Sequence, residues 1–307
     1  MLLPAGEHIN TRGDTMKSLL AAVAVLLLLP ATGSAQDAKR ITTISDAFGS
    51  VSTLRRDWGY ASFVEYGGKR ILFDTGNNAA VFAHNVKLLG IDLTRLDAVV
   101  ISHRHGDHTS GLTHLLEVNP GVRIYAPQEG AFFKGEVPRG FLKTETGLPP
   151  ELRYFDGQAP DSLPTGTPWE KGNFEIVQGM KEIFPDMYVL STRSQKPGTI
   201  EMNELSLALK TQQGLAVVVG CSHPGVEVIL QAAAKIDPQI YTVTGGFHLV
   251  MSPREEVVRV ADALQNALKV ERIAPGHCTS ELGFSILLDR YKDRFDRAGV
   301  GSIIALP

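Results

Sequence analysis

The sequence predicts an α/β fold in which two β-sheets pack face to face with helices over their outer faces. Three observations predict it. From Arg40 onward, short β-type runs alternate with amphipathic helical ones. The alternation is organised as two β-rich halves, each followed by helices. No short-period repeat divides the 307 residues, which read as one large domain rather than an array.

In the first half, residues 41–45, 61–66 and 70–74 read as strands, with Gly67-Gly68 as a tight hairpin turn between the last two. Asn77 or Asn78 caps the next helix, where Ala79, Phe82, Ala83, Val86 and Leu89 recur at helical spacing until Gly90 ends it. The apolar run Leu96-Asp97-Ala98-Val99-Val100-Ile101 is a buried strand, followed by a helix over 109–118 and a strand over 122–126. The second half gives strands over 174–177, 187–191, 205–211, 215–220, 240–244 and 272–274, with helices over 226–235 and 254–268. Between the halves, residues 128–172 break the pattern with Pro138, Pro149, Pro150, Pro160, Pro164 and Pro168 and the aromatics Phe132, Phe133, Phe141, Tyr154 and Trp169. Such a stretch reads as a lid or binding loop, or else as a solvated insertion without a role.

Apolar content of 43% and charged content of 21% describe an ordinary globular protein. A net charge of −3, with no Lys/Arg run, gives no reason to expect a nucleic-acid partner. At the N-terminus, Met16-Lys17 precedes the apolar run 19–29, Pro30 and the small residues Gly33-Ser34-Ala35. A basic start, a short apolar core and a small-residue cleavage site make a secretory signal over residues 1–35. The polar segment ahead of it points to translation from Met16, and cleavage after Ala35 leaves a domain spanning 40–307. The core falls short of the roughly 20 apolar residues of a membrane span, so none is expected after cleavage; an uncleaved anchor is the alternative. The expected location is the periplasm or the outside of the cell.

Chemistry is concentrated in Ser102-His103-Arg104-His105-Gly106-Asp107-His108, directly after the buried strand. Alternate side chains of an extended chain share a face, so His103 and His105 can point at one metal ion. Asp107 and His108 follow where the chain turns into a helix and can hold a second ion beside the first. Burying three imidazoles and a carboxylate without a metal would leave costly unpaired polar groups. Imidazole and carboxylate suit zinc, with manganese or iron as alternatives.

Of the nine histidines, His8 lies ahead of the signal, and His84 and His114 fall in helices and read as ordinary. The others stand at strand ends: besides the cluster, His223 in Gly220-Cys221-Ser222-His223-Pro224-Gly225, His248 in Gly245-Gly246-Phe247-His248-Leu249 and His277 in Pro275-Gly276-His277-Cys278. Glycine beside each lets the backbone turn sharply and approach an ion or a substrate closely. Cys221 and Cys278, the two cysteines, each lie beside one of these histidines; a structural disulfide and a role at the metal are both open.

With these residues in place, the chain resembles the metallo-β-lactamase superfamily from about Arg40 to the C-terminus. The resemblance implies a four-layer αββα sandwich with a dinuclear metal site at one edge of its sheets. His103, His105, Asp107 and His108 match the HxHxDH signature, and Leu72-Phe73-Asp74-Thr75-Gly76 matches an early strand and turn whose aspartate supports the metal from behind its ligands. The phrases GCSHPG, GGFHL and PGHCT, with Asn203-Glu204-Leu205-Ser206-Leu207 ahead of them, are similar to a branch named for dihydropterin ribofuranosylaminobenzene phosphate synthase. By carry-over, His103 and His105 hold one metal, and Asp107, His108 and His277 the other. The usual third histidine of the first metal would fall near Asn203, where this sequence has none. His223 is therefore taken as a ligand, Cys221 or His248 as the occupant of the bridging place, and His248 alternatively as a substrate contact.

The chemistry expected is metal-assisted hydrolysis of an ester, lactone, amide or phosphodiester in a small molecule, with Asp107 both ligating and orienting the attacking water. Two ions about 3.5–4 Å apart can clamp the attacking and leaving oxygens. A pterin-related synthase or transferase and a non-catalytic metal-dependent binding protein are the alternatives. No Ser-His-Asp arrangement is evident, and no GxxxxGK loop suggests ATP use.

Overall fold

Strands buried on both faces read as unbroken apolar runs, and such strands make the centre of both sheets here. The computed structural model describes residues 38–128, 135–137, 147–149, 152–158, 163–165, 169–199 and 202–307. The signal segment expected over 1–35, and much of the insertion expected over 128–172, lie outside the described residues.

β1 (Arg40–Ser45), β2 (Ala61–Tyr66) and β3 (Lys69–Phe73) form an antiparallel meander, and β4 (Ala98–Val100), β5 (Arg123–Pro127) and β8 (Asn173–Val177) extend it in parallel. β6 (Gly135–Val137) and β7 (Leu163–Thr165) pair as a separate ribbon. β9 (Met180–Phe184), β10 (Met187–Arg193), β11 (Asn203–Thr211) and β12 (Gly214–Val219) run antiparallel, and β13 (Ile240–Gly246) and β14 (Arg272–Gly276) join β12 in parallel. β15 (Ile303–Ala305) returns to pair with β1. The resulting orders are β15-β1-β2-β3-β4-β5-β8 and β14-β13-β12-β11-β10-β9.

The pleat sorts side chains into layers. In β12, Ala216 and Val218 meet Phe73 and Val100 of the other sheet, while Leu215, Val217 and Val219 face the helices α4 (Val226–Ala233), α5 (Arg254–Asp262) and α6 (Glu281–Tyr291). On the first sheet, Ile71 and Phe73 point inward, and Leu72 and Val99 pack on α1 (Ala79–Leu88) and α3 (Leu112–Val118) through Phe82, Val86, Leu112 and Leu115. The layers run helix, sheet, sheet, helix: the expected αββα sandwich.

Local chemistry explains the boundaries. Gly67 and Gly68 both take positive φ, as the two central residues of a tight hairpin require. Asn78, not Asn77, caps α1, its side chain accepting from the N–H groups of Ala80 and Val81. The helix expected over 109–118 is two pieces, α2 (Gly106–Thr109) and α3, broken at Gly111, where an added Cβ would lie 2.2 Å from the Thr75 carbonyl. The helix expected over 254–268 leaves α geometry after Asp262 and finishes as a π turn. β6, β7, β9, α6 and β15 were not anticipated, and β8 and β15 join the first sheet although they lie in the second half of the chain. No helix among the described residues is long and apolar enough to cross a membrane.

Candidate metal centre

β3, β4, β12, β13 and β14 deliver their functional residues at their C-terminal ends, the usual place for a ligand crevice in α/β sheets. Asp74 follows β3, Ser102 and His103 follow β4, and α2 carries Asp107 and His108. Cys221 and His223 follow β12, His248 follows β13, and His277 follows β14. Asp74, Ser222, His248 and His277 all sit at positive φ, a conformation costly for side-chain-bearing residues and characteristic of functional sites. The sheet ends also approach closely: a Cβ on Gly220 would lie 2.2 Å from Ser102 Oγ, and one on Gly246 would lie 2.7 Å from Cys278 Sγ.

Two groups of ligand-type atoms result. Asp107, His108, Cys221 and His277 form one, and His103, Cys221 and His223 the other, with the atoms of each group all within 4.8 Å of one another. Cys221 belongs to both. His105 stands beside the second group, its Nδ1 3.1 Å from His103 Nε2. His248 lies outside both, with its ring centroid 4.4 Å from that of His223. Asn203 is not at the site; its side-chain amide donates to the carbonyl of Gln128.

Carboxylates behind the histidines decide which nitrogens face the centre. His108 Nδ1 donates to Asp74 Oδ2 at 2.7 Å, leaving Nε2 to meet Cys221 Sγ at 3.2 Å. Ser102 donates its N–H and its hydroxyl to the same aspartate, and its Oγ then accepts from His103 Nδ1 at 2.8 Å. The lone pair of His103 is thereby fixed on Nε2. Glu204, fully buried, accepts from the N–H groups of Ser222 and His223 and from His223 Nδ1 at 3.0 Å. Asp46, after β1, holds the backbone N–H of His277 with both oxygens at 3.1 Å, although burial pushes its own carboxyl up to about 7.

Burial and the neighbouring imidazoles hold His103 well below the ordinary histidine range, and burial also lowers His105 and His277. For His108 burial acts downward, but the Asp74 carboxylate outweighs it and the net shift is upward. Burial pushes Asp107 up, yet the His277 imidazole beside it and the charge at His108 leave its carboxyl well below the usual range. Burial raises the Cys221 thiol far above its ordinary value, a penalty that only a nearby cation would offset. The residues fit a metal on their own evidence. His277 is buried with both ring nitrogens unpaired, and its Nε2 lies 3.4 Å from Asp107 Oδ2. Imidazoles, a carboxylate and a thiol converging on one place are a donor set that zinc satisfies.

The sequence motifs include Ser102 and Glu204 without giving either a role, and Asp46 lies outside them. Their signals were an acidic residue inside the apolar alternation of β11 and, for Asp46, an aspartate just past a strand end, as at Asp74. The disulfide alternative is excluded: Cys221 and Cys278 are both free and buried, with Cys278 Sγ donating to the Cys221 carbonyl.

Residues 56–182 match the model of the metallo-β-lactamase superfamily. Over 249 residues the chain is 32% identical to 7,8-dihydropterin-6-methyl-4-(β-D-ribofuranosyl)-aminobenzene-5'-phosphate synthase of Methanocaldococcus jannaschii, covering 77% of this chain and 84% of that protein. A solved structure of a metal-dependent hydrolase of the β-lactamase superfamily is 26% identical, with a TM-score of 0.66 over 87% of this chain and 98% of its own. An isothiocyanate hydrolase from Delia radicum gut bacteria, 13% identical with a TM-score of 0.51 over 87% of this chain and 98% of its own, shares the fold. By signature, architecture and kinship, the chain belongs to the metallo-β-lactamase superfamily.

Proposed function

We propose that the protein is an exported metal-dependent hydrolase acting on an ester, lactone, amide or phosphodiester of a small molecule. One observation carries the reading: Cys221 Sγ is shared by two ligand groups, an arrangement suited to two divalent ions side by side. Zinc heads the candidates because thiol and imidazole donors favour it. Such ions supply Lewis acidity that makes water nucleophilic near neutral pH and polarises an acyl or phosphoryl oxygen. The export element rests on the sequence of residues 1–35.

The remaining work falls to the chain. Asp107 Oδ2, ionised and partly open to solvent, accepts a hydrogen bond from the attacking water and aims its lone pair. Asp74 keeps the Nδ1 proton of His108 and, through Ser102, that of His103, so neither ring can rotate its Nε2 away. Glu204 does the same for His223. His248, pushed down to about 4 by burial and by His223, is a neutral ring that can donate a hydrogen bond to a substrate oxygen. A synthase or transferase reading is the second one, favoured by the 32% identity to the dihydropterin-related enzyme.

Metal analysis of the purified protein should give two equivalents, and a screen of phosphodiester, lactone, thioester and β-lactam substrates should show chelator-sensitive turnover. His108→Ala should abolish it. Turnover that survives complete metal removal sinks the mechanism; full metal loading with no hydrolysis of any class favours the synthase reading.

A further inference from the structure

Rings at this site form a continuous row. Neighbouring centroids lie 5.1 Å apart from Trp58 to His277, 5.0 Å from His277 to His108, 4.2 Å from His108 to His103, 4.6 Å from His103 to His223 and 4.4 Å from His223 to His248. The four inner rings are buried ligand candidates. The two end rings belong to neither ligand group and are partly open. One end is the neutral imidazole of His248; the other is an indole 47% exposed.

The backbone on both sides of this indole is held. Asp57 N–H donates to the Asp46 carbonyl at 3.1 Å, and Tyr60 N–H donates to the Asp107 carbonyl at 3.2 Å, so Trp58 is pinned between two residues of the site. Between them Gly59 takes a φ of +135°, and a Cβ there would lie 2.4 Å from that same Asp107 carbonyl. The backbone under Trp58 is thus fixed to the segment carrying Asp107. Its indole lies against the His277 ring with the two planes inclined at 52°, and 47% of the residue remains exposed.

We infer that Trp58 is a specificity-determining residue, forming an apolar wall over the His277 end that selects substrates bearing a planar aromatic group next to the reacting centre. The inference rests on the hydrolase reading for its reacting centre, while the wall itself needs only a ligand that reaches the ions. An indole face and an aromatic ligand gain by stacking beyond the area they bury, and the polar part of such a ligand would then extend toward His248.

The test uses two carboxylate probes on the metal-loaded protein, 4-fluorobenzoate and fluoroacetate, with binding followed by fluorine NMR. The native protein should hold the aromatic probe about tenfold more tightly than the aliphatic one. Trp58→Ala should abolish that preference without altering metal content, and Trp58→Phe should restore most of it. An unchanged preference in Trp58→Ala overturns the inference. So does equal weakening of both probes, or loss of metal, because either would make the indole a structural cap on His277. Neither probe requires turnover, so a protein that hydrolyses nothing yet shows the preference loses the hydrolase reading and keeps its aromatic wall.

Discussion

Asp74 and Glu204 do parallel work in the two ligand groups that share Cys221, each taking up the outward proton of a histidine so that its inner nitrogen bears a lone pair. Glu204 accepts three N–H donors, from Ser222, His223 and the His223 ring. Gln there would lose the charge and turn an amide NH2 toward some of those donors. Glu204→Gln should therefore weaken metal binding at the His103–Cys221–His223 group by about 10–100-fold and leave the other group's affinity within threefold, as read by competition with a chromophoric chelator. Ligands were more legible than the residues that orient them. Histidines clustered at strand ends announce themselves, whereas Glu204 occupies a strand position that any buried residue could fill, and only the fold shows that the loop after β12 donates into it.

Among the elements, the strand ends of the two sheets interlock through missing side chains. Gly220 lies where a Cβ would strike Ser102 Oγ at 2.2 Å and approach Asp74 Oδ2 at 3.2 Å, while Gly121 has nothing within 4 Å. Gly220→Ala should lower the free energy of unfolding in urea by about 1–3 kcal/mol and reduce metal occupancy. Gly121→Ala should shift it by less than about 0.5 kcal/mol. Element boundaries followed turn chemistry where that chemistry was local, as at Gly67-Gly68 and Asn78. They were missed where tertiary contact decided: α2 and α3 part at Gly111 because the Thr75 carbonyl occupies the space a continuous helix would need for a side chain.

For the whole molecule, both sheets are tied through one centre, since each ligand group draws on strand ends from both of them. Ions that bind only this folded arrangement stabilise it by mass action, about 2.7 kcal/mol at a hundred times the dissociation constant. Chelation should accordingly lower the melting temperature, and readdition of zinc should restore it; a melting curve indifferent to both would show that the ligands do not couple the sheets. The layered architecture was legible from alternating strands and helices, but the allocation of strands to sheets was not. Nothing local in Ile303–Ala305 says that it pairs with Arg40–Thr42. That pairing also bears on biosynthesis. A ribosome that has finished every metal-ligand candidate has yet to make the segment shielding the outer margin of β1, and until then its unused amide and carbonyl groups invite a neighbouring chain. Nascent copies therefore carry their aggregation hazard until residues 303–305 are made, and a holdase binding that bare margin would protect them.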